Sequence, residues 1–182
     1  MAQEQNAFEI VRIVSALTNL FRISLSKGKE MIEIGEELEH VRSYMIIQKE
    51  RYKDKMEYEI NFEEDILQYQ VLKVLLQPIV ENAIYHGIKE KRGVGLIIID
   101  VKREDEKIIL RVTDNGAGIQ SEKLLQINTM LEKTQMQGNF IGYGISNVNE
   151  RIKLSFGCEF GIRVESIFGE YTIVEICHPL IK

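Results

Sequence analysis

Excess basic charge is missing from this chain. Its 182 residues carry 23 Lys and Arg against 28 Asp and Glu, a net charge of −5. The two signs are well mixed, so there is none of the basic face that a general nucleic-acid binder needs. Cysteine is scarce too: Cys158 and Cys177 are the only two. They form no CxxC pair and no His stands at metal spacing from them. Both read as small apolar fillers, and the default setting is reduced and cytoplasmic. Only two prolines occur, with 45% hydrophobic and 28% charged residues. That profile fits a soluble globular protein and neither a disordered chain nor a repeat array. No stretch approaches the ~20 continuous apolar residues of a membrane span. The N-terminus, MAQEQNAFEI, has no basic segment followed by an apolar run, so it is not a signal peptide. An absent span says nothing about a longer parent protein.

What is present begins with helical periodicity. Between residues 7 and 25, Phe8, Val11, Val14, Leu17, Leu20, Phe21 and Leu25 form an apolar stripe. Ser26–Lys29 ends it, with Gly28 as a stop. A second amphipathic helix runs from Glu36 to about Tyr52, so the two form an antiparallel hairpin. A stripe this wide needs a partner surface, either the rest of the chain or another copy of it. After Tyr52–Met56 the character changes. Met56–Phe62 alternates as a strand, Val71–Tyr85 reads as a helix, and Gly95–Glu104 and Lys107–Asp114 form two strands. Ser121–Leu131 is a short helix with Ser121 as N-cap, and Lys133–Asn139 is polar, aperiodic and read as mobile. A helix over Ile145–Phe156 stops at Gly157, and Phe160–Ser166 with Tyr171–Cys177 closes the chain as a hairpin. Strands and helices do not alternate strictly. The expected fold is α+β: a helical hairpin over 1–53, then an α/β sandwich over 54–182 with a mixed sheet and helices on one face.

Three segments carry candidate chemistry. Leu75–Lys91, LLQPIVENAIYHGIKEK, starts as an apolar helix yet contains Glu81, Asn82 and His86. Asn82 and His86 are four apart and share a helix face. A neutral Asn oxygen with phosphate oxygens and waters suits Mg2+, which keeps much of its hydration shell. Glu81 is a candidate for proton handling. Each residue also has a plain reading, as a solvated helix position or as a His at a helix C-terminus. The second segment, Asp114-Asn115-Gly116-Ala117-Gly118-Ile119, follows a strand. Its carboxylate can accept from an exocyclic amine, and its glycines allow a planar base to approach; Asp-Asn-Gly is equally common turn chemistry. The third, Gly142-Tyr143-Gly144-Ile145-Ser146-Asn147, precedes a helix and offers free N–H groups to an anion such as a di- or triphosphate. Its spacing is neither GxGxxG nor a Walker loop, and GxG before a helix is commonly a cap.

In this order and spacing the three segments resemble the N, G1 and G2 boxes of the GHKL ATP-binding fold. LQPIVENAIYHGI, GISNVNERI and the hairpin segment from Leu20 to Tyr52 are similar to bacterial sensor histidine kinases of the LytS/YesM type, and the resemblance covers nearly the whole chain. It implies ATP and Mg2+ as ligands. Asn82 would be the Mg2+ ligand and Glu81 the adjacent acidic base, with His86 and Lys89 near the phosphates. Asp114 would read the adenine amino group, Gly116, Gly118 and Ile119 would shape the base pocket, and Thr172 would sit near the adenine. Gly142, Tyr143, Gly144 and Ile145 would close over the phosphates. Residues 120–141 would form a lid, with Met130, Leu131, Met136 and Phe140 as its contacts and Gly138 and Gly142 as its hinge.

The same resemblance implies transfer of the ATP γ-phosphate to a histidine, then to the receiver domain of a response regulator. Family members carry that histidine in a Pro-His-Phe-type segment upstream of the region that Ala7–Lys27 resembles. Here the only histidines are His40, His86 and His178. His40 lacks that context, and His178 reads as structural. The expectation is a fragment that binds ATP and Mg2+ without efficient autophosphorylation, because positioning the acceptor supplies much of the rate. The full-length protein would be a homodimer whose membrane attachment lies outside this chain. A regulatory pseudo-kinase or another GHKL ATPase is the alternative; the pair Glu81–Asn82 and the hairpin sequence favour the kinase.

Overall fold

The computed structural model describes residues 2–25, 28–89, 91–132 and 143–182. It opens with helix α1 (Ala2–Leu25), a short strand β1 (Met31–Glu33) and helix α2 (Ile34–Tyr52). Strands β2 (Met56–Phe62) and β3 (Gln70–Leu72) precede helix α3 (Leu76–Asn82), which runs into a π-helical turn over Ala83–Ile88. Then come β4 (Gly95–Glu104), β5 (Lys107–Asp114), α4 (Ser121–Glu132), α5 (Tyr143–Phe156), β6 (Gly161–Ile167) and β7 (Tyr171–Pro179).

The main sheet has the order β2-β4-β5-β7-β6. β2 pairs parallel to β4 and every other pair is antiparallel, so the sheet is mixed. Period-two patterning sets its two faces. Ile97, Ile99 and Val101 of β4, Leu110, Val112 and Asp114 of β5, and Thr172, Val174 and Ile176 of β7 are buried beneath the helices. Apart from the buried Ile109, the intervening positions are half-exposed and carry the Arg111–Glu175 ion pair. Leu38, Val41 and Met45 of α2 belong to the same apolar cluster as Ile79 and Ile84 of the α3 region, so α2 and the sheet share one core.

The sequence predicts a helix from Val71, but Val71 and Leu72 lie in β3, paired antiparallel with β1 (Ile32↔Val71). Tertiary contacts override the local apolar pattern here. Val74 is held at φ 57°, an outlying conformation for a β-branched residue. Glu37, fully buried on α2, accepts the N–H groups of Val74, Leu75 and Leu76 at 2.7–2.8 Å. Those are N–H groups that the first turn of α3 cannot satisfy itself. Burial pushes the Glu37 carboxyl pKa up, while the three N–H groups and the Arg151 charge pull against it. Arg151 of α5 also donates to Lys73 O at 2.9 Å. One carboxylate thereby fixes where α3 begins, and the turn is tied to both α2 and α5. Of the two cysteines expected as fillers, Cys177 is half-buried and Cys158 is exposed, because Cys158 falls in the turn after α5.

Glu37→Ala leaves three N–H groups, two of them buried, without an acceptor. It should lower the unfolding free energy by about 3 kcal/mol in a urea titration with little change in slope. A loss below about 1 kcal/mol would contradict the anchoring role of this carboxylate.

Candidate functional site

The helix carrying Glu81 and Asn82 loosens into the π-turn, closed by Lys89 N–H donating to Ile84 O at 2.9 Å. Such turns re-aim a helix and recur at functional sites. This one brings Gly87 against the end of β5. A Cβ at Gly87 would collide with Asp114 Oδ1, and one at Gly116 would collide with the backbone of Gly87. Ala117 N–H donates to Gly87 O at 3.2 Å, locking the contact. The two glycines are therefore set by close approach, and the first two sequence boxes touch through them.

Asp114 ends β5 and is only 4% exposed. Its Oδ1 accepts from Gly116 N–H at 2.9 Å. Burial raises the carboxyl pKa to about 6, with the Gly116 bond and the Lys91 charge opposing the rise. Beyond it, Gly118 adopts φ 64°, which permits the chain to turn where a Cβ would meet Ile167 O. The β6–β7 hairpin clamps this loop: Gly169 N–H donates to Ala117 O at 2.7 Å, and Ile119 N–H donates to Ser166 Oγ at 2.9 Å.

A cavity of about 310 Å3 opens between these segments. Its volume and largely apolar wall suit a small organic ligand with a few directing polar groups. Of the residues singled out in the sequence, Asn82, His86, Asp114, Gly118, Ile119, Ile145 and Thr172 line it, together with Met130 and Leu131 from α4. Asn82 donates from Nδ2 to Pro78 O at 2.6 Å, which leaves its Oδ1 as the acceptor end. Gly144 sits over this residue, 3.5 Å from Asn82 Nδ2 and 3.0 Å from Pro78 Cβ measured at its ideal Cβ position. The third box thus meets the first, and Ile145 and Ser146 of the same helix end reach the cavity.

Glu81, Gly116 and Lys89 are not on the cavity wall. Glu81 Oε1 instead accepts from Gln77 Nε2 at 2.8 Å, and Lys89 is exposed at the end of the π-turn. Gly142, Lys133–Asn139, and the lid contacts Met136 and Phe140 with Gly138 lie outside the described residues. Tyr143 begins α5. His40 and His178 are both fully buried. His40 Nε2 lies 3.0 Å from Ser24 Oγ. His178 accepts from Leu72 N–H through Nε2 and donates through Nδ1 to Pro179 O at 2.8 Å, a neutral structural imidazole. Sequence reasoning missed Ser166, which bridges β6 to Ile119 and Thr172, and Phe168, Lys123 and Gln120 on the wall. Only the strand register could have identified Ser166: it stands directly across from Thr172.

Burying a carboxylate that titrates near 6, against its ordinary 3.8, makes stability fall as pH rises. Between those values the folded state keeps a proton that the unfolded chain has released. The stabilisation is complete below pH 3.8 and is lost by the time pH passes 6, a change of about 3 kcal/mol. Asp114→Asn should therefore unfold at higher denaturant than the parent at pH 7.5, with the gap closing toward pH 4. An Asn variant no more stable than the parent at pH 7.5 would contradict the buried-carboxylate reading.

The family "Histidine kinase-, DNA gyrase B-, and HSP90-like ATPase" matches residues 69–182, and the family "Histidine kinase" matches residues 1–56. The chain is 30% identical over 168 residues to the sensor histidine kinase BtsS of Escherichia coli, covering 92% of this chain and 27% of BtsS. It is 29% identical over 179 residues to the sensor histidine kinase YesM of Bacillus subtilis, covering 98% of this chain and 29% of YesM. The chain thus spans less than a third of the length of these relatives. Among solved structures, the histidine kinase domain of a blue-light activated histidine kinase from Erythrobacter litoralis superposes with TM-score 0.60 at 17% identity. That match covers 98% of this chain and 83% of the other, and it shows the shared fold.

Proposed function

Starting from the fact that the chain belongs to the histidine kinase-, DNA gyrase B- and HSP90-like ATPase family, we propose that residues 54–182 are the ATP-binding catalytic domain of a sensor histidine kinase and residues 1–53 part of its dimerisation hairpin. The observation that carries this reading is the meeting of Asn82, Asp114 and the N-terminal end of α5 at one cavity. The adenine lies on the Asp114–Thr172 side, against Val112 and Val174. The phosphates run toward Asn82 and the start of α5, where the N–H groups of the first helical turn and the helix dipole favour an anion.

Asn82 fits a Mg2+ site, because the bond to Pro78 O turns its Oδ1 outward as a neutral oxygen ligand. Among the described residues no group of three acidic, His or Cys side chains forms a competing cage. That suits an ion held chiefly by phosphate and water. When bound, Mg2+ would offset charge on the transferring phosphoryl group. His86 and Lys89 supply positive or hydrogen-bonding character at the phosphate end, and Tyr143, Gly144 and Ile145 contribute main chain there. Glu81, one oxygen held by Gln77, takes the proton that an acceptor imidazole loses as its nitrogen bonds to phosphorus and the bond to ADP breaks.

The acceptor histidine belongs to a segment of the kinase upstream of this chain. Burial of His40 and His178 supports this, since neither imidazole is offered to a phosphate. This chain alone should consequently bind ATP without efficient autophosphorylation. From the acceptor, the phosphoryl group passes to an Asp of a response regulator receiver domain. The outer face of α1 supports homodimerisation: Phe8, Val11, Val14, Phe21 and Leu25 are all more than half exposed, a patch that calls for a partner. Among the described residues no helix is long and apolar enough to cross a membrane. A place on the cytoplasmic side of a membrane-anchored sensor is supported by the likeness to sensor histidine kinases.

Adding ATP with Mg2+ at 100 times Kd should stabilise the protein by about 2.7 kcal/mol in a thermal melt. No shift at any nucleotide concentration would overturn the reading. Asn82→Ala should melt with ATP and Mg2+ no higher than it does with ATP in EDTA. A metal-dependent gain equal to the parent's would remove Asn82 as the ligand.

A further inference from the structure

Ser166 lies one residue from the tip of β6, half-buried behind Thr172, and its hydroxyl is saturated. It donates to Tyr171 O at 2.6 Å. It accepts from Ile119 N–H at 2.9 Å. Its remaining lone pair faces Thr172 Oγ1 at 3.1 Å. A hydroxyl has one proton and two acceptor sites. With the Ser166 proton spent on Tyr171, the contact with Thr172 is favourable only if Thr172 is the donor. Were the Thr172 proton turned into the cavity, two oxygen lone pairs would face each other across 3.1 Å. Among the described residues Thr172 Oγ1 has no other hydrogen-bond partner, so its own lone pairs are what it offers to the cavity it lines.

Thr172 stands directly across from Asp114 in the β5–β7 register. Cross-strand neighbours place their side chains about 5 Å apart. Asp114 Oδ1 is engaged by Gly116 N–H, and Oδ2 adds a second acceptor beside the threonine. The wall therefore presents two acceptors to the same edge of a ligand. A 6-amino purine brings an N–H donor to that edge, whereas a 6-keto purine brings an oxygen that both groups repel. Rejecting a ligand by leaving buried polar groups wrongly paired gives larger discrimination than shape does.

We propose that Ser166 is a specificity-positioning residue: by accepting the Thr172 hydroxyl proton, it fixes Thr172 as an acceptor and makes the base pocket select 6-amino over 6-keto purine nucleotides. This rests on the ATP-site reading above and adds to it how the base is chosen. The tie from Ile119 N–H and the neighbouring Gly169–Ala117 bond hold the serine in place, so the polarity is built into the hairpin clamp.

The test compares Kd for ATP·Mg2+ and ITP·Mg2+, which differ in the base only by amino against keto at position 6 and the accompanying ring N–H. The parent should favour ATP by about 100-fold. In Ser166→Ala the threonine proton is released and can serve a keto oxygen, so the ITP-to-ATP Kd ratio should fall about tenfold; Ser166→Thr should restore it. Thr172→Val, which leaves Ser166 and its two other bonds intact, should lose the same discrimination and covers the case in which the alanine variant does not fold. Equal weakening of both nucleotides with an unchanged ratio, in either variant, would overturn the proposal and leave the ATP site standing. A parent that binds ATP and ITP equally would overturn it as well. A parent that binds neither would overturn the site reading and this proposal together.

Discussion

The contact between Gly87 and the Asp114–Gly116 corner is the constraint on which the rest depends. No side chain fits between the π-turn and the end of β5. With both glycines in place, the helix bearing Asn82 is pulled down to the carboxylate at the strand end. The sheet then fixes Thr172 beside Asp114, and the hairpin closes the far wall. The energetic penalty of the arrangement sits at Asp114. A buried carboxylate with one N–H partner is poorly satisfied, which is tolerable where a ligand with a donor group completes it.

A second constraint works from the other side. Glu37 reaches from α2 into the turn before α3, and Arg151 reaches the same turn from α5. The turn therefore joins the helical hairpin, the helix of the first box and the helix of the third. Such a junction transmits strain, because a fully buried carboxylate with three N–H partners cannot shift without losing several bonds at once. It also explains why α2 cannot be regarded as a loose appendage: its apolar face is part of the common core.

Much of this was legible in the sequence, for physical reasons. β2 alternates strictly, and β4 and β5 are short runs rich in Ile and Val that end in turn residues, so their limits are those observed. The three boxes were legible because glycines, an Asp and an Asn stood where packing alone would have chosen apolar residues. Other features depend on distant partners. Val71–Leu72 looks helical by pattern, and becomes strand only because Met31–Glu33 pairs with it. The π-turn has no signature separate from an α-helix. Ser166 acquires meaning only from the register of β6 on β7 and from the loop that its hydroxyl catches. Glu81 was legible as a member of the first box, yet its carboxylate turns to Gln77 on its own helix rather than to the cavity.

The central claim is that three separated segments serve one nucleotide. It is tested most directly by titrating the 15N-labelled protein with ATP·Mg2+ and following the amide resonances of Gly87, Gly116, Gly118 and Gly144. The account predicts that all four move along one saturation curve with a single Kd. Gly144 moving while Gly87 and Gly116 stay fixed, or the four following different curves, would contradict it.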